Sequence, residues 1–180
     1  MHMSVFEAIS TRYSHKEAFL PDPIPLEDLE LIAKAGIEAP SGANRQSVRL
    51  VILPDRAALD TVAAAVSTEG LRTAPAAIAL LTDKTVTPKE NAVNFEKEDY
   101  SAAMQNILLA ATALGYSALW LDSPYWDEGK EKDTKSALGA SDDYKLWAVI
   151  PIGKPKGEGS RREKLPYDKM VFYTKFGQKK

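Results

Sequence analysis

The stretch Glu98–Asp122, EDYSAAMQNILLAATALGYSALWLD, constrains this chain more than any other. Its first part sets Ala102, Ile107, Leu108, Ala111 and Leu114 on almost every side of a helix, which helices with one polar face do not do. Such a helix belongs in a core. Gly115 supplies the stop, because a glycine just past the last turn adopts the left-handed conformation at little cost. Ser117 to Leu121 is then an apolar run of strand length. A buried helix that leads straight into a buried strand fixes where the chain emerges, so Asp122, Ser123 and Pro124 are placed to face a ligand.

The 180-residue chain is of a size to enclose that element within one domain over residues 1–180, and 44% hydrophobic with 27% charged residues is enough apolar surface for a core held by packing alone. The absence of cysteine excludes disulfides, thiolate metal ligands and a cysteine nucleophile. With two histidines, one of them His2 in the Met1-His2-Met3 start, no metal site is expected. A net charge of −2 gives no general drive toward nucleic acid. No apolar run is long enough to span a membrane and no signal-peptide pattern is present, so the expected compartment is the cytoplasm.

Along the chain, Ser4-Val5-Phe6-Glu7 reads as a capping box opening a short helix to about Thr11 that buries Phe6 and Ile9. A link with Pro21, Pro23 and Pro25 leads to a second helix marked by Leu26, Leu29, Ile32, Ala33 and Ile37. Ala39 to Gln46 has the composition of a structured loop. Val48–Leu53 reads as a strand, and Pro54-Asp55 opens a third helix running through Val66. Pro75–Thr82 is nearly uninterrupted apolar sequence, a strand covered on both faces, and the polar stretch Asp83–Glu96 separates it from the central helix. Lys130–Leu138 forms a helix ending at Gly139, and Leu146–Ile152 is the last core strand. The tail over 154–180 is basic, with an apolar patch at Met170 to Tyr173 that lacks a partner in its own segment. Helices interleaved with four or five strands make an α/β sandwich.

Several chemistries are excluded by their missing motifs. There is no GxGxxG, no GxxxxGK[ST] and no GxSxG, and Ser14 beside His15 is a poor arrangement for a nucleophile and its base. The carboxylates Glu96, Glu98 and Asp99 read as a solvated helix start. What remains is little acid–base equipment and two basic clusters, one near each end, flanking a loop rich in amides. That equipment suits reactions whose chemistry a cofactor carries while the protein positions it, and a phosphorylated cofactor explains the clusters.

The ordered set of segments resembles the FMN-dependent nitroreductase family. It comprises Arg12-Tyr13-Ser14 with Lys16 and Phe19; Ala39-Pro40-Ser41-Gly42-Ala43-Asn44-Arg45-Gln46; Ala103-Met104-Gln105-Asn106 through Leu114-Gly115-Tyr116; Ile150-Pro151-Ile152-Gly153-Lys154-Pro155; and Arg162 to Pro166. The resemblance implies a three-layer α-β-α sandwich (α+β), an intertwined homodimer with FMN at each of two interfaces, and the 154–180 tail packed on the partner subunit. It further implies that Arg12, Tyr13, Ser14 and Lys16 hold the phosphate and pyrimidine side of FMN, and that Arg162 and Lys164 complete the phosphate site. The Pro40-Ser41-Gly42-Ala43-Asn44 loop with Gln46 would cover the partner's flavin, and backbone amides of Asp122 and Ser123 would face its reactive N5 edge. Tyr125 and Trp126 follow that edge and are candidates to stack on substrate, or to pack. Two features depart from the family pattern: Ser47-Val48-Arg49-Leu50 stands where many relatives have Pro-Trp-x-Phe, and the spacing from Ser14 to Phe19 is one residue longer than the commonest form.

The expected activity is transfer of hydride from NADH or NADPH to FMN and reduction of a small acceptor, a nitroaromatic or quinone, by double displacement, with no catalytic side chain assigned. The alternatives are another flavin reaction (dehalogenation, ene reduction or flavin destruction) and a flavin-binding protein without NAD(P)H turnover.

Overall fold

The computed structural model of the chain describes residues 3–86 and 93–180; His2 and the middle of the polar stretch Asp83–Glu96 lie outside the described residues. Its centre is β2 (Ala76–Asp83), which alternates cleanly between two apolar layers. Ala77, Ala79 and Leu81 face one core with Leu59, Val62 and Leu71, while Ala76, Ile78 and Leu80 face another with Leu29, Ile32, Met104 and Ile107. A sheet with helices on both faces results, a three-layer α-β-α sandwich. The expected burial of β2 on both sides holds, yet every strand pairing is antiparallel: β1 (Val48–Leu53) and β4 (Tyr144–Gly153) flank β2, and β3 (Ser117–Ala118) lies outside β4, giving the order β1-β2-β4-β3.

The helices form where local chemistry satisfies their free ends. In α1 (Val5–Thr11) the Ser4 hydroxyl accepts from the Glu7 amide at 3.2 Å, and the Ser4 amide donates to the Glu7 carboxylate at 2.7 Å. Pro25 precedes α2 (Leu26–Ile37), as expected of a residue with no amide to satisfy. Asp55 caps α3 (Arg56–Ala63) through the Ala58 amide at 2.8 Å. The third helix was expected to run through Val66, but it stops at Ala63. Thr68 caps a separate short helix, α4 (Glu69–Thr73), by accepting from Leu71. Asp127 caps α6 (Glu128–Ala137), which Gly139 ends at φ 68°.

The central helix, α5 (Glu96–Ala113), packs against α2 and the sheet and buries Ala103, Met104, Ile107, Leu108 and Ala111. Gly115 follows it at φ 84°, the left-handed turn its sequence predicts. Leu114, counted among the core-facing residues, is exposed. So are Phe6 (79%) and Ile9 (47%), because the two turns of α1 bury only Ala8 against the rest of the chain. Asn106 does satisfy a backbone group, donating to the Ala35 carbonyl at 3.0 Å.

The predicted Ser117–Leu121 strand is regular for only two residues. Leu119 lies opposite Pro151, whose carbonyl accepts the Leu119 amide at 3.3 Å but which has no N–H to return a bond. The chain nevertheless stays along β4, with the Val149 amide donating to the Leu121 carbonyl at 3.2 Å. A β-bulge across from Leu80 and Leu81 places Trp147 on the same side as Ala148, toward α5, where it stacks on Tyr100 at 4.5 Å and 10°.

One bond ties the start of α2 to the end of α5: the Tyr116 hydroxyl donates to Asp28 at 2.6 Å. Burial first, then that bond, raises the Tyr116 phenol from its ordinary 10.0 to about 12. The fold therefore binds the neutral form, and the stabilisation is whole below pH 10.0 and lost as pH climbs through about 12. Tyr116→Phe is expected to cost about 1 kcal/mol at pH 8 and to make the decline in stability above pH 10.0 shallower in urea titrations. An equally steep decline in the variant would assign it to other phenols.

Candidate functional site

The residues singled out in the sequence fall into three places. The first is a cleft of about 330 Å³ where Arg12, Tyr13, Ser14 and Lys16, just after α1, meet Arg162 and Lys164 of the tail. Residues some 150 positions apart in the chain thus share one wall. The segment after α1 is held there by the edge of the sheet: Ser14 pairs in parallel with Ala118, and the His15 amide donates to the Ala118 carbonyl at 3.1 Å. The His15 ring is buried, with Nε2 2.9 Å from the Ala18 carbonyl and its edge against Phe19. It is a structural post for the cationic segment.

The tail is held by Tyr13. The Ser117 hydroxyl donates to the Tyr13 hydroxyl at 2.9 Å, and a Cβ on Gly159 would lie 2.0 Å from the Tyr13 ring. Only glycine lets the tail cross the ring that closely. Arg161 anchors the same crossing by donating to the Ser10 carbonyl. Gly159, Ser160 and Arg161 line the cleft and were not foreseen, although the glycine doublet Gly157-x-Gly159 beside a basic run is a visible signal.

The electrostatics of this cleft are one-sided. Five cations, Arg12, Lys16, Arg161, Arg162 and Lys164, line it with one acid, Glu17. Among the described residues the side chains of Arg12, Lys16, Arg162 and Lys164 make no hydrogen bond or ion pair, whereas Arg49, Arg56, Arg72, Lys135 and Lys145 each have a carboxylate partner. Unpaired cations gathered with the hydroxyls of Ser14 and Ser160 fit a phosphate group.

The second place is the loop after α2. Pro40, Ser41 and Gln46 line a separate cavity of about 430 Å³ with Arg49 and Asp99. Gly42–Asn44 forms a 3-10 turn, and Ala43, Asn44 and Gln46 hold φ of 52°, 54° and 50°, left-handed values that non-glycine residues rarely adopt. Within one chain this loop and the cationic cleft line different cavities. Asp99, expected at a solvated helix start, is instead buried at 3%. It accepts from the Gly42 amide and the Ser47 hydroxyl, both at 2.7 Å. Nothing in the local sequence separates Asp99 from Glu96 and Glu98; only the helical phase that sends Ala103 inward four residues later carries the signal.

Asp122 and Ser123 end the extended run that begins beside Ser14, so the cleft and this turn lie along one edge of the sheet, four residues or roughly 13 Å of extended chain apart. The Asp122 carbonyl accepts the Tyr125 amide at 2.9 Å and starts the turn Ser123–Trp126. Beyond it is the third cavity, about 480 Å³, bordered by Lys97, Tyr100, Lys145 and Trp147 with Trp126 at its mouth, 74% exposed. Tyr125 belongs to its wall but is 1% exposed and packs among Leu59, Leu121 and Leu146, so of the two roles its sequence position left open, stacking or packing, the single chain shows packing. Burial also pushes its phenol well above the ordinary range.

Known proteins share this fold. A protein of Archaeoglobus fulgidus named provisionally as an NADH dehydrogenase/NAD(P)H nitroreductase is 35% identical over 135 residues, covering 73% of this chain and 75% of its own. A Bacteroides thetaiotaomicron structure with the same provisional name superposes with a TM-score of 0.82 at 28% identity, over 98% of this chain and 100% of that one. A structure from Desulfovibrio desulfuricans, provisionally a nitroreductase and solved in complex with FMN, superposes with a TM-score of 0.79 at 28% identity, over 98% and 99% of the two chains. The sequence model of the Nitroreductase family matches residues 9–69 and 63–154, which take in the cationic segment, the loop after α2 and the whole sheet, and the chain belongs to that family.

Proposed function

We propose that the chain is an FMN-dependent oxidoreductase that takes reducing equivalents from NADH or NADPH and passes them to a small acceptor such as a nitroaromatic or a quinone. The observation that carries this reading is the cleft in which four unpaired cations from both ends of the chain converge. FMN, when bound, supplies the chemistry of accepting hydride and delivering electrons. The chain's own residues supply position and charge. Arg12, Lys16, Arg162 and Lys164, with the Ser14 hydroxyl, hold the phosphate, and Tyr13 fixes the tail that brings two of those cations in. The loop Pro40–Gln46 with Ser41, Gly42 and Asn44 completes the pocket of a partner chain, a reading supported by Pro40, Ser41 and Gln46 lining a different cavity from the cations within one chain. The backbone of Asp122 and Ser123 lines the far end of the same sheet edge. Trp126 stands free to meet an acceptor. Homodimerisation, with residues 154–180 on the partner, is part of this proposal.

The test is direct. The purified protein is expected to be yellow or to take up one FMN per chain, to lose its visible absorbance when NADH or NADPH is added without oxygen, and to recover it when a nitroaromatic or quinone follows. Double-reciprocal plots should give parallel lines, since cavities of this size favour the two substrates in turn. Protein that binds no flavin would end the reading, and intersecting lines would overturn the double-displacement order.

A further inference from the structure

Asp99 is the only one of the three acids opening α5 that turns inward, and what it holds is the loop rather than the core. Its two oxygens divide the work: Oδ1 accepts from the Gly42 amide and Oδ2 from the Ser47 hydroxyl, both at 2.7 Å. These two donors bracket the strained part of the loop, where Ala43, Asn44 and Gln46 all stand in the left-handed region. Non-glycine residues stay there only when their surroundings over-determine the backbone. The Ser41 hydroxyl accepts from the Gln46 amide at 2.9 Å, closing the loop on itself. Arg45 donates to the Val93 carbonyl at 2.9 Å and lies 5.4 Å over the Phe95 ring, so the residues just before α5 grip it from outside. A Cβ on Gly42 would meet Phe95 at 2.2 Å, which shows how closely the loop is pressed against the start of α5. Asp99 is the buried member of this set, at 3% exposed, and it also borders the cavity that Ser41 and Gln46 line.

From this geometry we infer that Asp99 is a positioning residue for flavin binding, which sets the Ser41–Ser47 loop in the shape that receives the ribityl and ring portion of the cofactor. The inference rests on the flavin reading proposed above. Because the loop and the cationic cleft line different cavities with no residue in common, the role concerns the part of the cofactor that FMN and riboflavin have in common. The phosphate is served by other residues.

That division makes the role measurable apart from turnover. Asp99→Asn keeps the shape and the acceptor for the Gly42 amide but puts an amide group opposite the Ser47 hydroxyl, which must turn to accept, and makes both charge-assisted bonds neutral ones. Calorimetry on the full-length protein is expected to show FMN and riboflavin both bound about ten- to a hundredfold more weakly, with the ratio of their affinities unchanged. The visible band of the bound flavin should shift as well, while the thermal midpoint of flavin-free protein stays near the native value. A merely structural role would lower that midpoint and leave affinity at low temperature as it was. Ser47→Ala removes one bond with little change in volume and carries the test if Asp99→Asn does not fold; it should weaken both flavins by a smaller, equal factor. Native affinity for both flavins in either folded variant would overturn the assignment. So would a loss confined to FMN, which belongs to the phosphate cleft. Native protein that binds neither flavin would instead defeat the flavin reading itself.

Discussion

Replacing Arg12 and Arg162 together by alanine is expected to weaken FMN binding by about two to four orders of magnitude and to leave riboflavin binding nearly unchanged. The magnitude follows from about 1.5–3 kcal/mol for each charge-assisted hydrogen bond, with about 1.4 kcal/mol to each factor of ten. Exposure decides where in that range the result should fall. Arg12 is half-buried beside the sheet edge, but Arg162 is exposed in the flavin-free chain, and a solvent-screened cation contributes less. The lower end is therefore expected, with added salt reducing the difference further. Neither side chain makes a hydrogen bond or ion pair with another described residue, so the double variant breaks no internal polar bond and should fold normally. Equal losses for FMN and riboflavin would show that these arginines shape the pocket as a whole, and the phosphate assignment would be withdrawn.

How far the sequence could reach is clearest at β2, α5 and the loop they lead to. The uninterrupted apolar run of β2 and the stop at Gly115 are local signals with one physical outcome each, and both are found where they were expected. The end of β3 at Ala118 was not legible, because it depends on Pro151 standing opposite Leu119, a pairing that no local pattern encodes. The break between α3 and α4 is intermediate: the Thr68 cap that opens α4 could be read, but an apolar helix pattern extending to Val66 hides the end of α3 at Ala63. The cationic cleft was legible as two clusters, and the structure adds what joins them, the Tyr13 ring under Gly159. Asp99 shows the limit. Three acids in four residues look alike until the phase of the helix against the sheet selects one of them, and that phase is a tertiary fact.

The tail should prove inseparable from both dimer and cofactor. Leu165, Tyr167, Met170 and Phe176 are between 60% and 93% exposed in the single chain. The segment does make an aromatic contact of its own, Phe172 against Phe176 with centroids 4.6 Å apart, which corrects the expectation that the apolar patch has no partner within it. That contact leaves Phe176 at 93% exposure, so it does not account for the patch. More large apolar side chains stand exposed on α1 and α2, at Phe6, Leu26, Leu31 and Ile37, more surface for a partner to cover. Covering each large side chain contributes about 1.5–3 kcal/mol, so Tyr167, Met170 and Phe176, the three lost when the chain ends after Pro166, amount to a large part of the about 5–15 kcal/mol that stabilises a typical domain. Ending the chain after Pro166 keeps Arg162 and Lys164 but removes α7 (Tyr167–Met170) and everything beyond it. The shortened protein is expected to be monomeric by light scattering at micromolar concentration, to unfold at lower urea, and to lose FMN even though its phosphate cations remain. Full-length protein should scatter as a dimer under the same conditions. A full-length monomer holding one FMN would mean that each site is built from a single chain, and the contribution of Ser41 and Asn44 to a partner's flavin would have to be given up.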